Sequence, residues 1–210
     1  MNFKSIVFML SFLLASTVFG QDKSDVFNPS TEITWLGLDF SGAKFIGDRE
    51  RLGSESDIRH LIDAINELMI KEADKYNVAA AIQKKKVENA IEVTNEHNAE
   101  LDVLAMISAE GKDHVHLNPS DVQEIISSYD FTGKSGIGLI FNVESFNKLI
   151  EEGSFWITFV NMGNKERLLT ERLTAAPSGF GMRNFWAGCV KGVLAKIKKK
   201  EFENWRKKHG

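Results

Sequence analysis

The sequence predicts an α/β (α+β) protein with a single mixed β-sheet of about five strands and helices packed on the sheet. An apolar segment at 33–40 suits a buried strand, and an amphipathic helix pattern follows it at 54–76. Further strands are predicted at 138–143, 154–160 and 167–174, and a polar turn joins the last two into a hairpin. The predicted order is β-α-β-α-β-β-β-α. Its two crossovers imply parallel neighbours, and the hairpin adds an antiparallel pair.

The first strand and the first helix have the clearest patterns. Apolar residues fall on both faces of 33–40, as in a strand that is covered on each side. The helix at 54–76 has apolar residues at spacings of three and four, and Ser54 with Asp57 forms a capping-box-like start. One stripe of this helix is therefore expected to face the core.

The middle of the chain is less regular. Apolar and polar residues alternate at 87–95, which predicts a half-exposed strand. Residues 96–118 combine a helical turn at 101–107 with a polar loop, and they favour no single element. Asn118 and Pro119 then predict the start of an amphipathic helix.

Four segments are predicted along the chain. Residues 1–20 have the charged start, the short apolar run and the small-residue end of a secretory signal peptide, with cleavage expected after Gly20. That run is too short to span a bilayer, and no Cys near the junction offers a site for a lipid. The other segments are a flexible leader (21–31), a single α/β domain (32–198) and a basic tail (199–210). A periplasmic or secreted location is expected.

Composition excludes several classes of protein. The chain has 26 Lys and Arg against 29 Asp and Glu, a formal net charge of −3, so it is not expected to bind nucleic acid generally. Its one cysteine, Cys189, cannot form an intramolecular disulfide. Cys189 lies in an apolar stretch of a predicted last helix, so a buried, inert thiol is expected rather than a nucleophile. No cofactor is predicted.

Three segments, 33–40, 138–143 and 155–174, resemble exported bacterial α/β proteins. The core looks like the small domain at the front of the TolB translocation protein and in curli-secretion and penicillin-binding-protein-activating lipoproteins. The shared features are an opening strand that ends in Asp-Phe, an amphipathic helix and a late hairpin. The chain differs in having no lipoprotein cysteine and no attached propeller. The resemblance implies a non-catalytic envelope module that binds another macromolecule, and it identifies no binding residues.

Two glycine-containing motifs resemble anion-binding loops. Residues 133–135, Gly-Lys-Ser, match part of a phosphate-binding loop, but Ser128 stands in place of the first glycine and a strand follows. A polar turn is the better interpretation. Gly179 and Gly181 precede the last helix, where backbone amides and Arg183 would approach an anion. The alternative is a tight helix start, because the third glycine of a dinucleotide motif is absent.

The candidate binding residues are Asp39, Lys44, Glu144, Arg183 and Trp205. Lys44 and Glu144 are predicted to form a polar surface site near strand ends, with a solvated pair as the alternative. Asp39 ends the first strand and would equally cap the following loop. Trp205 lies among the basic residues of the tail, which predicts contact with lipid headgroups or an acidic polymer. The alternative is a solvated helix end.

Two histidines share one side of an extended segment. His114 and His116 would need a further ligand, such as Asp113, His97 or His60, to hold a metal ion. The sequence specifies no such third ligand, so no metal is predicted.

The predicted function is that of a non-catalytic periplasmic binding or assembly protein. A sheet edge, the hairpin or the basic tail would contact an envelope protein or an anionic polymer. The alternative is an exported hydrolase, whose carboxylates and histidines are gathered only by the fold. Stable membrane insertion is not expected, and both a monomer and a homodimer paired through the hairpin edge are compatible with the sequence.

Overall fold

The computed structural model describes residues 21–210, so the predicted signal peptide lies outside the described residues. Within them, seven strands form one mixed sheet with helices packed on it, which confirms the predicted α/β class. The sheet contains two more strands than expected, because the short strands at 44–46 and 107–108 were not predicted. The strands are β1 (Ile33–Asp39), β2 (Lys44–Ile46), β3 (Glu88–Asn89), β4 (Ile107–Ser108), β5 (Ile137–Asn147), β6 (Glu152–Asn161) and β7 (Glu166–Ala175).

The long strand β5 organises the sheet. One of its edges pairs in parallel first with β1 and then with β2, so these two act as a single strand interrupted at residues 40–43. Its other edge pairs with β6 in an antiparallel hairpin that contains a bulge between Val143 and Ser145. The interruption and the bulge lie at the same level, because Asp39 pairs with Asn142. Polar residues consequently enter the middle of the sheet at this level.

The predicted late hairpin is confirmed. β6 and β7 pair antiparallel from Gly153 opposite Ala175 to Asn161 opposite Glu166. Within the described residues, β7 pairs only with β6, so it is an edge strand of the sheet. The opposite side of the sheet ends in the two-residue strands β3 and β4. β7 is therefore the longest edge that the described sheet presents.

The main helices begin where the sequence predicts. Helix α2 (Glu55–Lys71) has a capping box in which Ser54 accepts from the Asp57 N–H, and it ends at Lys71 rather than at residue 76. Helix α6 (Pro119–Ser128) has an equivalent capping box formed by Asn118 and Asp121. Both boxes satisfy N–H groups that lack partners within the helix. The α-helices are α1 (Arg49–Leu52), α2 (Glu55–Lys71), α3 (Val78–Ala81), α4 (Glu92–Ala99), α5 (Val103–Met106), α6 (Pro119–Ser128), α7 (Met182–Lys196) and α8 (Phe202–His209).

The predicted strand at 87–95 is confirmed only at Glu88–Asn89, which pairs in parallel with β1, and is wrong for the residues that follow. Only β3 is extended there, and α4 begins at Glu92. The helix buries Thr94 and Asn98 beside Val93, so two of its three buried residues are polar. Its buried face has no apolar stripe with helical spacing. The alternation of apolar and polar residues at 87–95 was therefore the stronger signal, and it predicted a strand.

Side chains of α2 and α4 take the place of a strand along the outer edge of β1. The Asn98 amide accepts from the Phe40 N–H at 2.9 Å and donates to the Leu38 carbonyl at 2.9 Å. The Asn66 amide accepts from the Leu38 N–H at 2.7 Å and donates to the same carbonyl at 3.1 Å. The buried backbone of β1 is therefore hydrogen-bonded although helices cover this edge.

Both terminal segments differ from their predictions. Residues 21–31 are not a flexible leader, because Val26 and Phe27 are buried and the Phe27 ring lies 5.4 Å from that of Phe202. Residues 199–210 are not a separate tail, since a π-helical turn (Ile197–Glu201) continues α7 into α8. Phe202 and Trp205 are buried on one side of α8. Their spacing of three residues anchors this helix, whereas the predicted tail was inferred from its charge.

Two apolar layers cover the faces of the sheet. The larger includes the buried sides of α2, α7 and α8, and the smaller includes that of α6. No helix within residues 21–210 combines the length and apolarity needed to cross a membrane.

Candidate functional site

Glu144 forms a buried ion pair with Arg172. Glu144 is the bulge residue of β5 and has no exposure to solvent. The Arg172 guanidinium lies alongside its carboxylate, with Nε 2.9 Å from Oε2 and a terminal nitrogen 3.0 Å from Oε1. The carboxylate also accepts from the N–H groups of His116 (3.0 Å) and Leu117 (2.8 Å) and from the Ser154 hydroxyl (2.6 Å). These contacts link β5, β6 and β7 to the loop before α6.

The predicted surface site of Lys44 and Glu144 is therefore wrong. The Lys44 ammonium donates to the Ala105 carbonyl at 2.9 Å, and Glu144 lies inside the sheet. Asp39 is also buried, and no described hydrogen bond or ion pair joins it to either residue. Sequence reasoning identified these polar side chains but placed them on the surface.

Asp39 belongs to a cluster with His97. Its carboxylate accepts from the Ser41 hydroxyl at 2.8 Å and lies 3.6 Å from Nδ1 of His97. The other ring nitrogen, Nε2, lies 3.0 Å from the hydroxyl of Ser128. The Asp39 carboxylate beside the ring raises the pKa of His97, while partial burial of the ring opposes that rise.

The hydrogen bonds around His97 fit an imidazolium ring. The Ser41 hydroxyl donates to Asp39, and the Ser128 hydroxyl donates to the Ile125 carbonyl at 2.6 Å. Each hydroxyl oxygen is then an acceptor for one ring N–H of His97. This polarity is opposite to that of a serine nucleophile, whose hydroxyl would donate to a neutral ring. Ser128 also ends α6, where the helix dipole disfavours a developing negative charge.

The histidines of the loop before α6 have separate partners. His114 contacts Ser145 through Nδ1 (2.8 Å) and Glu152 through Nε2 (3.0 Å). His116 contacts the carbonyls of Asp113 (2.7 Å) and Gly42 (2.9 Å). Within the described chain, no three His, Cys, Asp or Glu side chains are arranged to hold a metal ion.

The other candidate residues do not converge. Arg183 contacts the neighbouring Asn184 side chain at 3.2 Å, and Gly181 precedes α7 with a φ of +77°. Trp205 is buried, with its ring 6.4 Å from that of Phe202, rather than presented among the basic side chains. Lys134, from the Gly-Lys-Ser turn, pairs with Glu92 at 2.6 Å, and β5 follows that turn.

A cleft of about 450 Å³ lies between the edge of β7 and the end of α7. We call it the β7 cleft. It was not predicted as a site, because the sequence showed the sheet edge and the basic residues separately. Its lining consists of Arg172, Leu173, Thr174, Lys196, Lys199 and Lys200, together with Glu201.

The β7 cleft is cationic. Lys199 and Lys200 are exposed, and within residues 21–210 neither forms an ion pair. Lys196 donates to the Thr174 carbonyl at 2.7 Å, and Glu201 accepts from Asn204 at 3.0 Å. The π-helical turn places the consecutive lysines beside the end of β7. Two ammonium groups are therefore free to meet an anion there.

Comparison of the chain with models of protein families and with curated proteins finds no match. The resemblance to envelope lipoprotein domains stays a prediction.

Proposed function

We propose that this chain is a non-catalytic binding or assembly protein of the bacterial cell envelope, and that it contacts an anionic partner through the β7 cleft. The single observation that carries the proposal is the pair of exposed lysines, Lys199 and Lys200, beside an edge strand and without an anionic partner in the described chain. Exposed cations at a concave surface attract anionic ligands and raise their association rate.

The buried Glu144 and the partly buried His97 and His114 already have hydrogen-bond or ion-pair partners within the chain, which supports a non-catalytic role. Glu144 is saturated by Arg172, two backbone amides and a serine hydroxyl. His97 has a hydrogen-bond acceptor for each ring N–H, and each ring nitrogen of His114 has a contact. A general base needs a free lone pair directed at a substrate. The location in the envelope rests on the predicted signal peptide at residues 1–20.

A binding experiment tests the proposal. The full chain is expressed in a bacterial host, the exported protein is purified, and its binding to fluorescent poly-L-glutamate is followed by anisotropy. Dextran serves as the uncharged control. We expect saturable binding to poly-L-glutamate that weakens as salt is added, and no binding to dextran.

Charge-reversal variants locate the site. Lys199→Glu with Lys200→Glu should weaken the affinity by about tenfold or more, because two attractions become repulsions. The matched control is Lys71→Glu with Lys112→Glu, two exposed lysines that do not line the cleft. Equal affinity of both double variants for poly-L-glutamate would contradict the proposal, as would failure of the wild type to bind.

A further inference from the structure

We infer that the β7 cleft takes an extended, acidic peptide segment of a partner protein, which adds to the sheet as a strand beside β7. The inference rests on the proposed function and specifies the chemistry and binding mode of the partner. Strand addition of this kind needs a free strand edge and a charge pattern that selects the peptide. The edge must also be unsuited to pairing with a second copy of this chain.

The edge of β7 is open in its middle. Backbone groups of residues 168–173 have no hydrogen-bond partner in the described chain other than β6. In an antiparallel pair, alternate residues direct N–H and C=O away from the partner strand. Within the stretch, residues 170–173 are partly exposed and Leu168 and Leu169 are buried, so the outward groups nearest to solvent are those of 170–173.

Side chains close both ends of this edge. Before the open stretch, Gln123 accepts from the Arg167 N–H at 3.0 Å and donates to the Lys165 carbonyl at 2.9 Å. After it, Lys196 donates to the Thr174 carbonyl. These side chains bond to outer backbone groups of β7 as a neighbouring strand would. Between them, the outer backbone groups of residues 168–173 are left without such a partner in the described residues, and we call this stretch the gap. A short added strand of about four to six residues fits that gap.

The surroundings of the gap select the peptide. Lys199 and Lys200 line the cleft beside it, together with the partly exposed side chain of Leu173. A strand presents alternate side chains to one face. A peptide with acidic residues at alternate positions therefore directs its carboxylates to one face, where they lie near the lysines.

A second copy of the chain fits this edge poorly. Pairing of two β7 edges would bring Lys199 and Lys200 of both copies to one interface, where the acidic residues Glu171 and Glu201 already have partners in Lys208, His209 and Asn204. Lysines on an edge strand oppose such self-pairing, whereas they favour an acidic partner.

The test uses an eight-residue peptide of alternating Glu and Val and three further probes. Two are the same peptide N-methylated at every Val or at every Glu, which blocks the N–H groups along one edge of the peptide. The third is inorganic polyphosphate, an anion with no peptide backbone. Binding to the exported full-length product is followed by anisotropy, and backbone amide exchange is followed by mass spectrometry.

Strand addition predicts a loss of about tenfold or more with one methylated peptide and little change with the other. It also predicts slower exchange within 168–173 when the unmodified peptide binds. Equal binding of both methylated peptides, without slower exchange, would overturn strand addition. Suppose that strand addition fails this test but Lys199→Glu with Lys200→Glu still weakens polyphosphate binding. The proposed function, anion binding at the β7 cleft, would then be supported without strand addition.

Two other results would contradict more than the strand-addition mode. If the double variant binds every anion as tightly as the wild type, the cationic cleft is not the binding site and both proposals fail. If the protein alone is a dimer by sedimentation and residues 168–173 are already slow to exchange, a second copy occupies the edge. That result would overturn the inference of a peptide partner.

Discussion

Nε of Arg172 lies 2.9 Å from Oε2 of Glu144, whose side chain has no exposure to solvent. The partners come from non-adjacent strands, since β6 lies between β5 and β7. Arg172 also covers the Trp156 ring, with the guanidinium carbon 4.5 Å from the ring centroid. The pair therefore links the last edge strand to the centre of the sheet.

Removing the cation of this pair should destabilise the fold. Arg172→Leu leaves the Glu144 charge in the interior without its counter-ion, and we expect a loss of about 3 kcal/mol in the free energy of unfolding. Urea denaturation measures the loss. Arg183→Leu is the control, because the one polar partner described for Arg183 is the adjacent Asn184 side chain, and a change of less than about 0.5 kcal/mol is expected.

The double variant Arg172→Leu with Glu144→Gln should recover part of that stability, because the unpaired charge is gone. A double variant less stable than Arg172→Leu would show that the charge of Glu144 is not the cause.

Gly37 should not tolerate a side chain. Its φ is +98°, and an added Cβ would lie 2.7 Å from the Thr94 hydroxyl and 2.8 Å from the Asn66 side-chain oxygen. Gly37→Ala is expected to lower the free energy of unfolding by about 2 kcal/mol or more, through backbone strain and displacement of those hydrogen bonds. Gly111→Ala is the matched control, since nothing lies within 4 Å of its added Cβ. Equal stabilities of the two variants would contradict the arrangement along β1.

Stability should depend on the protonation of His97. Its pKa is raised by the neighbouring Asp39 carboxylate, so the folded state holds the proton more tightly than the unfolded state. The stabilisation from His97 is therefore fully present below the unfolded pKa of about 6.5, and it is lost as pH rises through the raised folded value. The difference in unfolding free energy between wild type and His97→Gln should be larger at acidic than at alkaline pH.

NMR titration of the ring gives an independent measurement, and Asp39→Asn should bring the pKa of His97 back toward its ordinary range. A stability difference that grows with increasing pH would contradict the assignment of the charged ring.

Cys189 should be nearly unreactive in the folded protein. The thiol is fully buried, and burial raises its pKa to about 12. At pH 8 the thiolate fraction is then about one in ten thousand, so alkylation should proceed only through unfolding. Labelling with iodoacetamide should be slow in buffer and rapid in denaturing urea. Equal rates in the two solvents would show that the thiol is accessible.

Much of the fold was predictable because its signals are local. The capping boxes at Ser54 and Asn118 each lie within four residues, and both helices begin there. The hairpin of β6 and β7 follows from two apolar runs and the turn between them. These features need no knowledge of distant contacts.

The missed elements lack such local signals. Helix α4 buries the polar residues Thr94 and Asn98, whose partners are backbone groups of β1 more than fifty residues earlier. In α8, the buried Phe202 and Trp205 are outnumbered by charged neighbours, so composition indicated a solvated tail. The tertiary contacts of these residues outweigh the sequence pattern around them.

The α/β class, the main helices and the apolar strands follow from the sequence, because hydrophobic periods of two and about 3.6 residues are local properties. Which polar groups meet depends on the folded chain: Glu144 with Arg172, Asp39 with His97, and the lysines of the π-helical turn with the edge of β7. Those partners are distant in the chain, and the pairing of strands and packing of helices set the distances between them.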